Sequence, residues 1–120
     1  MNGMLIPTGL GYMGGFRDIF DNPVTVQFIH RCLGWSVFFA ALALAYAAFR
    51  TPGLTWRQKV SLQVIACLAI VQFTLGVVTL LHSVPVAFGS MHQIGASLLL
   101  LATVHAVHAF SETQIRLVAV

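Results

Sequence analysis

The chain has 120 residues, of which 58% are hydrophobic and only 8% are charged. Ordinary globular domains carry about 25% charged residues, so this composition excludes a water-soluble fold. The net charge of +3 comes from basic residues scattered near the ends of apolar stretches, which indicates membrane topology and excludes a nucleic-acid-binding surface.

Residues 1–22 form the first predicted element, an irregular loop. They are rich in glycine and include Pro7, and this composition is typical of loops. We expect no cleavable signal peptide here, because the segment lacks a long apolar core. Asn22 and Pro23 then predict a helix start, since asparagine caps helices and proline fits the first helical position.

Two stretches without a charged residue follow, at 32–49 and 60–111. A membrane span needs about 20 apolar residues, so the first stretch predicts one helix and the second predicts two. The turn formers Ser83, Pro85 and Gly89 separate those two. The predicted spans are Val24–Phe49, Gln58–His82 and Val86–Phe110. We therefore predict an all-α integral membrane protein with an outer-side loop at 1–22, a three-span transmembrane domain at 23–110 and a cytoplasmic-side tail at 111–120.

The loops also predict the orientation. Arg50, Arg57 and Lys59 cluster between the first two spans, whereas the loop between the second and third spans has no charge. Loops with positive charge stay on the cytoplasmic side. The N-terminal segment and the 83–89 loop should therefore face the outside, and Arg116 places the tail inside.

Two histidines lie at matching depths in different spans. His30 and His92 are each about six residues from the outer end of their span, or roughly 9 Å below the surface at 1.5 Å per residue. Ionisable side chains within spans are rare and usually functional. Two level imidazoles on neighbouring helices can take both axial positions of one haem iron. The competing interpretation is that each histidine only forms a hydrogen bond between helices.

Residues beside both histidines suit a flat macrocycle. Gly34 shares a helical face with His30, and Gly95 and Ala96 share one with His92. Arg31 lies near the outer boundary, where a guanidinium can pair with a haem propionate. The remaining histidines have other predicted places. His82 is an interface residue at the end of its span, and His105 and His108 share a face near the opposite surface without a level partner.

The sequence resembles the C-terminal half of the haem A synthase family, which oxidises a methyl group of haem O to the formyl group of haem A. The matching stretches, in the family order, are Met1-Asn2-Gly3 with Leu5-Ile6-Pro7, Val26-Gln27-Phe28 with His30-Arg31, Gln72 with Leu75-Gly76, Thr79-Leu80-Leu81 with Val84-Pro85, and His92-Gln93. The resemblance implies two similar four-helix halves, each holding a haem between histidines on its second and fourth helices. Those positions correspond here to His30 and His92.

The resemblance also implies a division of labour between the halves. In the N-terminal half of the family, a glutamate implicated in the oxidation precedes the first histidine by three residues. Gln27 stands there in this chain, which is typical of the half that keeps a resident haem b. The three spans then form most of a four-helix haem-binding bundle. Helices of an N-terminal half, or a second copy, are the expected partners that complete it, and the lone chain is expected to be incomplete as an enzyme.

Two other function classes remain open at this stage. One is a cytochrome b membrane anchor of a quinone-linked dehydrogenase, which has a similar length, three spans and histidine-ligated haem. The other is a membrane fragment or assembly partner without haem. In each case we expect a multi-pass protein, located by the resemblance in a bacterial plasma membrane or a mitochondrial inner membrane.

The charge pattern predicts that a cysteine introduced by Ser83→Cys reacts with a membrane-impermeant thiol reagent at the outer face, because the 83–89 loop carries no positive charge. The unsubstituted chain, with Cys32 and Cys67 inside spans, is the control. Labelling that requires access from the inner face would reverse the topology.

Overall fold

The computed structural model describes residues 6–82 and 85–118, with side chains up to Ser111. Within these ranges every regular element is a helix: α1 Arg17–Asp21, α2 Pro23–Arg50, α3 Trp56–Leu81 and α4 Val86–Val118. α2, α3 and the Val86–Ser111 part of α4 are long and apolar enough to cross a membrane. The predicted all-α class and the three spans are thus confirmed. Ser83 and Val84 of the predicted outer loop lie outside the described residues.

The ends of the helices have local causes. The Asn22 side chain accepts a hydrogen bond of 3.0 Å from the Val24 amide and caps α2, as its place before Pro23 predicts. α3 begins ahead of the predicted Gln58, because Thr55 forms a reciprocal capping box with Gln58. α4 continues to Val118 and takes in most of the predicted tail, while α1 lies within the predicted N-terminal loop.

The chain forms two compact units, Met1–Ser36 and Val37–Val120. In the first, the Asp18 carboxylate is buried and accepts four hydrogen bonds. Its donors are the Thr25 hydroxyl, the Asn22 amide at 2.8 Å, and the Met13 and Gly11 backbone N–H groups at 3.0 Å each. These bonds favour the charged carboxylate and lower the pKa of Asp18 to about 2, with the Thr25 hydroxyl as the largest cause.

The bonds to Asp18 fold the N-terminal loop onto the beginning of α2. Gly11 has φ +73°, a left-handed conformation that glycine adopts without steric cost, and this turns its N–H toward the carboxylate. The Asn22 amide adds a bond of 2.8 Å to the Gly9 carbonyl. The sequence pattern alone did not predict this organising role for Asp18.

The second unit is built around the packing of α3 against α4. Its small apolar core joins Ala41 of α2, Ile65 and Ala69 of α3, and Ala106 of α4. Alanines at these positions let helix backbones approach closely, as in membrane bundles. The Phe38 and Phe73 rings add a contact with centroids 4.6 Å apart. Most larger apolar side chains of the spans are exposed on the outside of the helices, which suits contact with lipid or further helices.

Several hydroxyl side chains in the spans bond to their own helix. Each donates to the carbonyl one turn earlier, at distances between 2.7 and 3.2 Å. The residues are Ser36, Thr74, Thr79, Ser97 and Thr103. Since hydrocarbon offers no hydrogen bonds, these internal bonds let polar residues sit in an apolar helix.

Gln72 is a polar residue that links α3 to α4. Its side chain is 8% exposed, and its Nε2 donates to the His92 carbonyl at 2.7 Å. Gly95 lies directly beneath this amide, and a Cβ built on Gly95 would overlap the Gln72 side-chain oxygen. The absence of a side chain at Gly95 therefore permits the link.

Replacing the carboxylate by Asp18→Asn should loosen the N-terminal loop, because it removes the charge that four donors stabilise. Hydrogen exchange of the 9–16 peptide, followed by mass spectrometry, should become faster. Asp21→Asn is the matched control, since Asp21 makes an exposed ion pair with Arg17 at 3.6 Å. Equal exchange in both variants would contradict the role of Asp18.

The lowered pKa of Asp18 also predicts that the stability of the folded N-terminal loop depends on pH. Its folded pKa lies below the ordinary value of 3.8, so the stabilisation is fully present above about pH 4 and is lost as the pH falls toward 2.

Gly95→Ala should lower the free energy of unfolding in detergent by about 1–3 kcal/mol, because the new methyl group meets a side chain held by a hydrogen bond. Gly89→Ala is the control on the same helix: a Cβ there has no atom within 4 Å, and alanine is the better helix former by about 1 kcal/mol. Denaturant titration in micelles measures both. Equal stability of the two variants would show that the α3–α4 contact tolerates the methyl group.

Candidate functional site

His92 lies in the N-terminal half of α4 and is half-buried against α3. The α3 residue opposite its ring is Gly76. A Cβ built on Gly76 would lie 3.2 Å from Cε1, 3.7 Å from Nδ1 and 3.8 Å from Nε2 of the His92 imidazole. The ring thus occupies space that any other residue at position 76 would restrict.

The backbone of His92 is held from the same helix. Gln72 precedes Gly76 by one turn, so the two share a face of α3, and its amide donates to the His92 carbonyl. The Oε1 atom of Gln72 is buried and has no donor among the described residues. α3 therefore contacts both the main chain and the ring of His92, an arrangement that the histidine spacing alone did not predict.

His30 belongs to the first unit, on the N-terminal part of α2, and its side chain is exposed there. Gly34, one turn further along, is also exposed, and a Cβ on it would meet open space. Arg31 is half-buried. On this face of α2, the His30 imidazole therefore lies one turn from Gly34, where no side chain covers the backbone. The structure describes His30 and His92 in separate units, and their pairing stays a prediction.

The small residues predicted to line a macrocycle have different surroundings. Gly95 faces Gln72 of α3, whereas Ala96 is exposed on α4. Phe38 of α2 and Leu99 of α4 pack respectively on Phe73 and against the core of the second unit. The contribution of Gly95 and Ala96 to a haem site stays a prediction, and Gly95 has a packing role as well.

The other histidines lie apart from this arrangement. His82 ends α3, with its Nδ1 at 2.9 Å from the Val78 carbonyl and its ring 5.8 Å from that of Phe88. Its expected place at the membrane interface stays a prediction. His105 and His108 are exposed, and His105 lines a cleft of about 430 Å³ between α3 and α4 that also includes Arg57.

A metal ion held by protein side chains alone needs about three or four donors close together. In the part of the chain that the structure describes, no three His, Cys, Asp or Glu side chains come together to hold an ion. A haem needs fewer protein ligands, because the porphyrin supplies the in-plane nitrogens and the protein supplies only axial groups. Imidazole is a common axial ligand, so the histidines present fit a haem better than a bare metal ion.

Comparison with known proteins identifies the family. The profile of COX15-CtaA, described as "Cytochrome oxidase assembly protein", matches residues 1–104. Among similar proteins named "Heme A synthase", that of Bartonella bacilliformis is 36% identical over 83% of this chain and 28% of its own length. The Azorhizobium caulinodans protein is 32% identical over 99% of this chain and 34% of its own length. The Maricaulis maris protein is 39% identical over 88% of this chain and 31% of its own length.

These relatives are much longer than the chain, which spans about a third of their length. No solved structure matches it. The family match favours the haem A synthase resemblance over the cytochrome b anchor. With its three membrane-spanning helices, the chain is therefore a multi-pass bacterial membrane protein that belongs to the haem A synthase family, COX15-CtaA.

Proposed function

We propose that the chain is the haem-b-holding part of a haem A synthase, with His30 and His92 as the two axial ligands, and that it acts in haem A biosynthesis. Support comes from the family match and from relatives named "Heme A synthase". The finer assignment to a haem b depends on the position of each histidine within its own helix.

The observation that carries this proposal is the equal rise of the two histidines. His30 follows the first residue of α2, Pro23, by seven positions, and His92 follows the first residue of α4, Val86, by six. At 1.5 Å per residue these rises are about 10 Å and about 9 Å. Both helices begin on the predicted outer side, so we propose that the two imidazoles reach one level of the membrane.

The residues around each histidine support the same assignment. The open face at Gly34 lets a planar group approach the α2 backbone, while α3 holds His92 from behind through Gln72 and Gly76. The Arg31 guanidinium suits a propionate near the outer boundary. A haem held by the imidazoles of His30 and His92 would supply one-electron transfer.

We further propose that the oxidation of the haem O methyl group takes place outside this part of the protein. All three carboxylates, Asp18, Asp21 and Glu112, lie outside the candidate spans. Gln27, which stands where the other half of the family has its glutamate, is neutral and cannot accept a proton as a base. The exposed apolar faces of the spans fit helices of an N-terminal half, or a second copy, as the partner.

The test is the visible spectrum of the purified chain reconstituted with haem b. His30→Ala and His92→Ala should each abolish the low-spin spectrum, because each removes an axial ligand. His105→Ala and His108→Ala are the matched controls and should leave it intact. A low-spin spectrum that survives His92→Ala would overturn the assignment, and an unsubstituted chain that never forms one would overturn haem binding itself.

A further inference from the structure

One face of α3 contacts His92 at two levels. Gln72 reaches its carbonyl, and Gly76, one turn toward the outer end, lies against its ring. Side chains on a helix tilt toward its N-terminus, and α4 begins at the outer side. The His92 ring therefore lies nearer the outer side than the His92 backbone does. Gly76 likewise lies one turn nearer the outer side than Gln72, so Gly76 contacts the ring while Gln72 contacts the carbonyl.

The Gln72 contact fixes the position of the α4 backbone at the histidine. Its Nε2 lies 2.7 Å from the carbonyl of His92 itself. The amide is buried, and the missing side chain at Gly95 lets it lie flat on α4. Sliding or rotating α4 would break this bond and press the Gln72 amide against neighbouring side chains.

The Gly76 contact fixes the ring. Three ring atoms of His92 lie 3.2–3.8 Å from the place where a Cβ of residue 76 would be, so the imidazole lies against the α3 backbone. A methyl group there would force the imidazole to shift or rotate, because a separation of 3.2 Å is tighter than ordinary van der Waals contact.

We propose that Gln72 and Gly76 are positioning residues that set the height and the rotation of the His92 imidazole as a haem ligand. This rests on the proposed function of His92. Groups outside the coordination shell orient axial ligands and tune the metal, and their loss typically weakens binding 10–100-fold. Gln72 acts here through the backbone of the ligand, and Gly76 acts through the space it leaves for the ring.

The experiment compares three variants of the full chain reconstituted with haem b in detergent. Gln72→Met keeps the length of the side chain but cannot donate to the His92 carbonyl. Gly76→Ala adds one methyl group against the ring. Gln63→Met is the matched control, since Gln63 lies on the same helix and is half-buried. The readouts are the electron paramagnetic resonance signal of the low-spin haem, its midpoint potential and the rate of haem loss.

Gln72→Met and Gly76→Ala should each shift the low-spin signal and the midpoint potential, and each should speed haem loss about tenfold or more. Gln63→Met should match the unsubstituted chain. Helix content and melting temperature are measured alongside, so that a change at the haem is separated from a general loss of structure. Alanine favours helix formation, so Gly76→Ala keeps the test available if Gln72→Met fails to fold.

Unchanged resonance and potential in both variants, with haem bound, would overturn this inference while leaving the proposed function intact. Equal changes in Gln63→Met would also overturn it, because the effect would then follow from any loss of an amide in α3. Failure of the proposed function has a different signature, since His92→Ala would then keep the low-spin signal.

Discussion

Hydrocarbon cannot hydrogen-bond to the chain, and this constraint governs the arrangement of its polar groups. A polar group inside a span is stabilised by a partner within the protein. The hydroxyls of Thr74, Thr79 and Thr103 find one within their own helices. The Gln72 amide instead donates to a carbonyl of the neighbouring helix. Hydrogen bonds within one helix do not constrain how that helix packs on its neighbours. The Gln72 bond joins two helices and therefore constrains how α3 packs on α4.

Features that depend on composition could be predicted from the sequence. The charge-free stretches predicted three spans, because charged side chains are costly in hydrocarbon and the length of an apolar stretch can be read from the sequence. Asn22 and Pro23 predicted the start of α2 for the same local reason. The start of α3 was placed too late because the capping box at Thr55 extends the helix beyond its apolar part.

Two kinds of feature could not be predicted from the sequence. One depends on how the N-terminal loop folds onto α2, and the other depends on how a helix is rotated about its own axis. Asp18 collects donors from residues on both sides of it along the chain, and no periodic pattern marks such a cluster. The candidate histidines followed from helical rise, which is fixed for any helix. The contact of Gly76 with His92 depends on how α3 is rotated toward α4, and rotation is decided by packing between helices.

The length of α4 has a consequence for the membrane that holds it. Its spanning part, Val86–Ser111, has 26 residues, or about 39 Å of helix, against about 30 Å of hydrocarbon. This hydrophobic mismatch is relieved by tilting the helix or by thickening the lipid around it. Because Gln72 joins α3 to α4, the two helices must tilt together. The thickness of the bilayer therefore affects the tilt of both helices.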